Sequence, residues 1–205
     1  GTNILLVGSD SRAGLTDADA AAIGTENIDV GRRADSIMIV HITAGGGTTA
    51  VISIPRDSYV PIPGHGSNKI NAAYAFGGAK LLTQTVEDAT GIRLDGYVEI
   101  GFGGFASIVD SLGGIDICLT KALKDPLVDL DLAPGCHLLT GKDSLAFVRT
   151  RHADARGDLG RADRQRQFLA ALMKKAATPA TVLNPVRYSA FTRAASKGVT
   201  IGSDT

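Results

Sequence analysis

The stretch SIMIVHITAGGGTTAVISI, residues 36–54, decides the fold class of this 205-residue chain. Two short apolar runs rich in β-branched residues, Ser36–Thr43 and Thr49–Ile54, flank the turn sequence Ala44–Gly47. Runs of this length and composition are typical of buried strands, and a glycine-rich turn between them predicts a β-hairpin. Asn3–Gly8 (NILLVG) is a third run of the same kind and predicts another buried strand.

Outward from the hairpin, strand-like and helix-like segments alternate along the chain. Apolar residues at helical spacing predict helices at Asn71–Phe76, Ala79–Ala89, Phe102–Leu112, Lys142–Phe147 and Asp163–Lys175, and one further helix within residues 178–205. Further strands are predicted at Tyr97–Ile100 and Ile115–Leu119, and a loop at Asp10–Arg33. Strands interleaved with helices predict an α/β fold, which we specify as a three-layer α/β/α sandwich with a central mixed sheet.

Composition narrows the class of protein. Hydrophobic residues make up 44% of the chain and charged residues 20%, which is typical of a globular domain. The 21 basic and 21 acidic residues balance, whereas a nucleic-acid-binding protein usually has a basic excess, so we expect no nucleic-acid partner. No apolar run is long enough to span a bilayer. No clear interdomain linker interrupts the chain, and we predict a single domain over residues 1–205.

The segment FVRTRHADARGDLGRADRQRQF, residues 147–168, holds six of the thirteen arginines. Its last part has helical spacing, which places Arg161, Gln165, Phe168 and Leu172 on one face. Arginine grips phosphate oxygens in pairs, so this pattern predicts a phosphate-binding site near the start of a helix. The alternative is a solvated helix whose own side chains pair with one another, such as Arg161–Gln165 or Asp163–Arg166.

Acidic and arginine residues also follow or precede each of the first three predicted strands. They are Asp10 and Arg12 after the first strand, Arg33 and Asp35 before the second, and Arg56 and Asp57 after the third. Ligand sites in α/β folds gather at strand ends. Carboxylates bind Mg²⁺ together with phosphate oxygens, and arginines neutralise the remaining charge of a diphosphate. A loop ion pair is the alternative for any one of these clusters taken alone.

Cys118 and Cys136 are the only two cysteines, and the segment between them, LTKALKDPLVDLDLAPG, is predicted to be a loop. Without nearby pairs of histidines they make a poor zinc site. They form a disulfide if the domain is secreted, and otherwise they are two reduced thiols.

Taken together, these motifs resemble the LytR-CpsA-Psr family of cell-wall phosphotransferases, with the best match over residues 3–175. The matching pieces, in order, are LLVGSDSR, GRRADSIMIVHI, VISIPRDSYV, NKINAAYAFGG, DGYVEIGFGGF, IVDSLGGIDI, LLTGKDSLAFVRTRH and DLGRADRQRQF. Members of this family are anchored in the bacterial membrane with the catalytic domain outside. The resemblance therefore implies the extracytoplasmic face of the membrane, an anchor preceding residue 1, and a disulfide between Cys118 and Cys136.

The resemblance also implies the site residues. Asp10 and Asp35 would hold Mg²⁺. The side chains that would contact the diphosphate are Arg33, Arg56, Arg149, Arg151, Arg161 and Gln165. The side chains implied in catalysis are Asp10, Asp35, Arg56 and Arg161. The family motif often reads Gly-Arg-Ser-Asp where this chain has Gly-Arg-Arg-Ala-Asp. Arg33, and not Arg32, is the implied diphosphate ligand because it lies two residues before the aspartate, as the arginine of the family motif does.

The implied activity is Mg²⁺-dependent transfer of a glycopolymer from a polyprenyl-diphosphate carrier to peptidoglycan. The cysteine pair looks like an actinobacterial variant, for which the polymer would be arabinogalactan. Hydrolysis of the diphosphate is a possible side activity, and Asp10, Asp35 and Asp57 are all candidates for the base. The alternative function is a module that binds lipid diphosphate or wall polymer without turning it over.

Overall fold

A computed structural model of the chain describes residues 1–10, 34–45, 47–150 and 157–202. The described residues form two compact units. The first comprises residues 1–10, 34–102 and 199–202, and the second comprises residues 103–150 and 157–198. The predicted loop at Asp10–Arg33 lies outside the described residues except for Asp10 itself.

Eleven strands and six α-helices make up the part of the chain that the structure describes. The strands are β1 (Thr2–Ser9), β2 (Ala34–Ile42), β3 (Ala50–Ile54), β4 (Tyr59–Ile62), β5 (Gly66–Lys69), β6 (Gly96–Ile100), β7 (Ile115–Leu119), β8 (Leu123–Asp125), β9 (Leu130–Leu132), β10 (Gly135–Leu139) and β11 (Val199–Gly202). The helices are α1 (Ile70–Thr90), α2 (Phe102–Ser111), α3 (Gly141–Arg149), α4 (Asp158–Ala176), α5 (Pro179–Val182) and α6 (Pro185–Gly198). None of them has both the length and the apolar character needed to cross a membrane.

A five-stranded mixed sheet in the order β11-β6-β1-β2-β3 organises the first unit. β2 pairs antiparallel with β3, which confirms the predicted hairpin, and β1 pairs antiparallel with β2 and parallel with β6. The parallel pair makes the sheet mixed, so the predicted α/β fold with a mixed central sheet is confirmed. Apolar side chains of the sheet and of α1 form the core of this unit, among them Leu5, Val7, Ile37, Ile39, Leu82 and Val86.

Helix α1 bends where the sequence predicts a break between two helices. Gly77 and Gly78 have non-helical backbone angles, and Gly78 has a φ of 64°. L-residues with a side chain rarely adopt a positive φ, so glycine permits the bend at that position. The two predicted helices are therefore the two arms of one kinked helix.

The second unit contains a disulfide-linked hairpin. β7 pairs antiparallel with β10, with Cys136 directly opposite Cys118, and the two are joined by a disulfide. The intervening segment contains the β8–β9 hairpin and a short 3₁₀ turn at Pro126–Val128, where the sequence pattern had indicated only a loop. Strands of three residues are too short to show an apolar alternation, which is why the pattern missed them.

The prediction of a single helix after residue 178 is wrong. Two helices, α5 and α6, and the strand β11 occupy this region. Pro179 and Pro185 each start a helix, since proline lacks the N–H that is unpaired in the first turn. The backbone of Gly198 lies against Gly104, where an added Cβ would meet the Gly198 oxygen at 2.2 Å. The glycine-rich segment Gly101–Gly104 thus serves close backbone packing at Gly104.

We expect the disulfide to contribute about 3 kcal/mol to the free energy of unfolding, since it closes a loop of 18 residues and restricts the unfolded chain. Replacing both cysteines by serine should lower the free energy of unfolding in a urea titration by that amount. The unfolded, unreduced protein should show no titratable thiol. As a control, wild-type protein unfolded with excess reductant should match the double variant. Equal urea midpoints for oxidised wild type and the variant would contradict the prediction.

Candidate functional site

Antiparallel pairing brings three separate sequence segments to one end of the central sheet, the edge formed by the ends of β1 and β3 and the start of β2. Ser9 at the end of β1 lies opposite Ala34 at the start of β2, and Ile54 at the end of β3 lies opposite Ile37 of β2. Asp10, Asp35 and Arg56 flank these positions. Each was predicted to be a site residue from a different motif. The register therefore explains why strand-end residues far apart in the chain share one edge.

Five charged side chains lie at this edge, which we call the carboxylate edge (Asp10, Asp35, Arg56, Asp57 and Lys69), and the last four form a series of ion pairs. Arg56 donates from Nη1 to Oδ1 of Asp35, and its Nε lies 3.7 Å from Oδ2 of Asp57. The other oxygen of Asp57, Oδ1, lies 2.8 Å from Nζ of Lys69. The contact of Arg56 with Asp57 lies within one cluster and is the loop ion pair kept as the alternative for a cluster taken alone. The pair of Arg56 with Asp35 joins two clusters.

Backbone hydrogen bonds fix the segment after β3, which contains Arg56, to the start of α1. The N–H of Asn71 donates to the carbonyl of Arg56 at 3.2 Å, and the N–H of Ile70 donates to the carbonyl of Ser58 at 2.8 Å. These bonds satisfy donors of the first helical turn that have no partner within the helix. The Arg56 backbone is thus fixed by the helix, while its side chain reaches Asp35 at the sheet edge.

The second unit holds a cluster of arginines where α3 ends and α4 begins. Arg149 is the last residue of α3, while Arg161 and Arg164 are both buried on α4. Nη2 of Arg164 donates to the Thr150 carbonyl at 2.7 Å, and Nε2 of Gln165 donates to the Val148 carbonyl at 3.3 Å. A cation and an amide on α4 therefore hold the carbonyl end of α3, where the helix dipole is negative. Arg164 was not among the predicted site residues.

The predicted face of α4 is confirmed. Phe168 is buried and packs on Phe105 with ring centroids 5.0 Å apart, and Leu172 packs against the same core. Arg161 lies on that face and is also buried, with 8% of its surface exposed. On the outer side Asp163 pairs with Arg166, so the alternative of intrahelical ion pairs is confirmed for that pair. Arg33 and Arg151, both predicted to bind diphosphate, lie outside the described residues.

Comparison with known proteins identifies the family. The model of the LytR_cpsA_psr family matches residues 1–204. The chain belongs to the LytR-CpsA-Psr family. It is 53% identical over 188 residues to the probable cell wall biosynthesis protein LcpB of Corynebacterium glutamicum, covering 91% of this chain and 45% of LcpB.

Two further similarities are to a named transferase and to a solved structure with a bound ligand. The chain is 38% identical over 182 residues to the polyisoprenyl-teichoic acid–peptidoglycan teichoic acid transferase TagU of Oceanobacillus iheyensis, covering 86% of this chain and 52% of TagU. The solved structure of TagT bound to LI-WTA has a TM-score of 0.73 and 29% identity, covering 99% of this chain and 69% of that one. The chain thus spans about half the length of the curated relatives it matches.

A carboxylate held by two phenols lies on the α1 side of the sheet in this family member, and sequence reasoning missed it. Glu99 on β6 accepts one hydrogen bond from the hydroxyl of Tyr74 and another from that of Tyr97, each 2.7 Å long. Burial, and then the hydrogen bond and charge of Glu99, raise the pKa of Tyr97, so its hydroxyl stays protonated and keeps donating. The signal in the sequence was the spacing of Tyr97 and Glu99, which puts both on one face of a strand.

Proposed function

We propose that this domain is a Mg²⁺-dependent phosphotransferase that moves a glycopolymer from a polyprenyl-diphosphate carrier onto peptidoglycan. The observation that carries the proposal is the carboxylate edge, where Asp10, Asp35 and Arg56 from three motifs share one end of the sheet. The names of TagU and of TagT bound to LI-WTA support the same class of substrate and reaction.

The donor set of the carboxylate edge suits Mg²⁺. Three carboxylates and two cations give these five side chains a net charge of −1, which favours a cation over a bare diphosphate. Mg²⁺ typically takes one or two carboxylates and fills its other positions with water and phosphate oxygens. No cluster of three or more His, Cys, Asp or Glu side chains that could hold a metal occurs within the described ranges, which agrees with a site completed by substrate. Asp10 and Asp35 would hold the ion, which would neutralise charge on the diphosphate.

In the proposed reaction a hydroxyl oxygen of peptidoglycan attacks the phosphorus that bears the sugar. The bond from that phosphorus to the bridging oxygen breaks, and polyprenyl monophosphate leaves with the electron pair. The hydroxyl proton passes to a carboxylate, for which Asp10, Asp35 and Asp57 are the candidates. Arg56, Arg149, Arg161 and Gln165 of this chain bind and orient the diphosphate, with Arg33 and Arg151 as further proposed ligands.

The proposal extends to the polymer and to the location. The 53%-identical relative comes from Corynebacterium, which supports an actinobacterial wall polymer, and we assign arabinogalactan. The disulfide supports an oxidising compartment, and we assign the extracytoplasmic face of the membrane, with an anchor outside the present sequence.

A transfer assay tests the proposal. The chain is incubated with Mg²⁺, peptidoglycan and a polyprenyl-diphosphate glycan that carries a labelled sugar. We expect label in peptidoglycan and release of polyprenyl monophosphate, both lost with chelator. Release of polyprenyl monophosphate without label in peptidoglycan would indicate hydrolysis alone. Binding of the lipid with no turnover would overturn the proposal in favour of a binding module.

A further inference from the structure

A stretch of 40 residues near the C-terminus has an unbalanced charge. Residues 164–203 contain seven basic residues and no acidic residue, although the whole chain has no net charge. The basic residues are Arg164, Arg166, Lys174, Lys175, Arg187, Arg193 and Lys197. Such segregation creates a local positive potential that net charge alone conceals.

Three of these cations already have partners. Arg164 is buried and bonds the Thr150 carbonyl, Arg166 pairs with Asp163, and Lys175 lies 2.9 Å from Asp116. The other four are exposed and form no ion pair with any described residue: Lys174, Arg187, Arg193 and Lys197. These four are therefore available to an anionic partner.

Exposed apolar side chains lie among these cations, where α5 passes into α6. Leu183 is 79% exposed and Val186 is 75% exposed, and about half of Val182 and of Tyr188 is exposed as well. Single exposed apolar residues are ordinary on a protein surface, but four within seven consecutive residues form a patch that calls for a partner. We call residues 182–188 the α5–α6 tip.

Helix α6 is fixed to its unit by one face and presents the other to solvent. Phe191 packs on the core of the second unit, and Gly198 lies against Gly104. Val186, Arg193 and Lys197 have spacings of seven and eleven residues, which put them on one helix face, and all three are exposed. Val186 makes the outward face apolar at one end, and Arg193 and Lys197 make it basic further along. The opposite face holds the helix in place.

We propose that the α5–α6 tip and the outward face of α6 bind the surface of an anionic phospholipid membrane. Leu183 and Val186 enter the boundary between headgroups and acyl chains, and the ring of Tyr188 lies at the interface. Arg187, Arg193 and Lys197 bind headgroup phosphates, and no Asp or Glu lies within five residues of any of them in the sequence. A soluble polyanion would use the cations but gain nothing from exposed Leu and Val, so the apolar residues favour the membrane. This surface is independent of the carboxylate edge and of the proposed transfer reaction.

Flotation with vesicles tests the proposal on the 205-residue chain. We expect binding to vesicles of equimolar phosphatidylglycerol and phosphatidylcholine, little binding to phosphatidylcholine alone, and weaker binding as NaCl is raised from about 0.1 M to about 0.5 M. Arg187→Ala/Arg193→Ala/Lys197→Ala should weaken binding roughly tenfold or more. The matched control, Lys80→Ala/Arg93→Ala/Lys121→Ala, removes three exposed cations elsewhere and should bind within about twofold of wild type.

Fluorescence and a serine variant test separately what the apolar side chains contribute to membrane binding. Because the chain has no tryptophan, Leu183→Trp provides a single tryptophan, whose emission, excited at wavelengths that tyrosine does not absorb, should shift to shorter wavelength with anionic vesicles. Leu183→Ser/Val186→Ser should weaken binding about as much as the triple cation variant, with an unchanged circular dichroism spectrum because both positions are exposed. Equal loss in the control triple variant, no shift for Leu183→Trp, or wild-type binding by the serine variant would overturn the proposal. Self-association of wild type that the serine variant lacks, without vesicle binding, would identify a second copy as the occupant and also overturn it.

Discussion

Arg161→Lys is expected to slow the chemical step of glycopolymer transfer roughly tenfold or more, equivalent to about 1.4 kcal/mol of transition-state stabilisation. Arg161 is buried, on a helix face whose other residues pack in the core. Lysine keeps the charge but loses the planar pair of donors that binds two phosphate oxygens at once. If that geometry matters most as charge develops during transfer, the rate should fall more than the affinity for the lipid diphosphate.

The neighbouring Arg164 gives a matched control. It is equally buried, and its guanidinium donates to the Thr150 carbonyl and so holds the end of α3. Arg164→Lys should therefore lower the unfolding temperature. Single-turnover kinetics, direct lipid binding and thermal unfolding on both variants separate the two roles. Equal losses of rate and binding in Arg161→Lys would show that this arginine only holds substrate.

The sheet could be predicted because its strands carry their own signal. β1, β2 and β3 each contain an apolar run, and the glycine turn before β3 predicts a hairpin. β4 and β5 have no such signal, since Pro61 and the polar sequence Gly66–Lys69 break any apolar run. They form because the two strands pair with each other, and the local sequence pattern carries no signal for that pairing.

Some residues of the candidate site could likewise be predicted from the sequence, and others could not. Asp10, Asp35 and Arg56 could be predicted because each abuts a strand end, and antiparallel order alone brings those ends together. The bond from Glu99 to Tyr74 joins a strand to a helix 25 residues away in sequence, so spacing could not predict it. Arg161 and Arg164 lie one helical turn apart, and periodicity could not show that Arg164 bonds a backbone carbonyl of the preceding helix.

Asp35→Ala should lower the transfer rate on the order of a hundredfold, comparable to removing one preorganised electrostatic group from an active site. The reason is that Asp35 has two proposed roles, as a ligand of Mg²⁺ and as the partner that orients Arg56. Asp35 and Arg56 are only partly buried, with side chains 35% and 21% exposed, so the fold should survive the change.

A Mg²⁺ titration of the transfer rate distinguishes these two roles. If Asp35 binds the metal, the Mg²⁺ concentration for half-maximal rate should rise about tenfold or more in Asp35→Ala. Asp57→Ala is the matched control, because Asp57 also lies beside Arg56, at 3.7 Å, but is not a proposed ligand. Its half-saturating Mg²⁺ concentration should stay near that of wild type, whatever its rate. If Asp35→Ala keeps the wild-type Mg²⁺ response and adds no further loss to Arg56→Ala, then Asp35 acts only through Arg56 and the metal role is wrong.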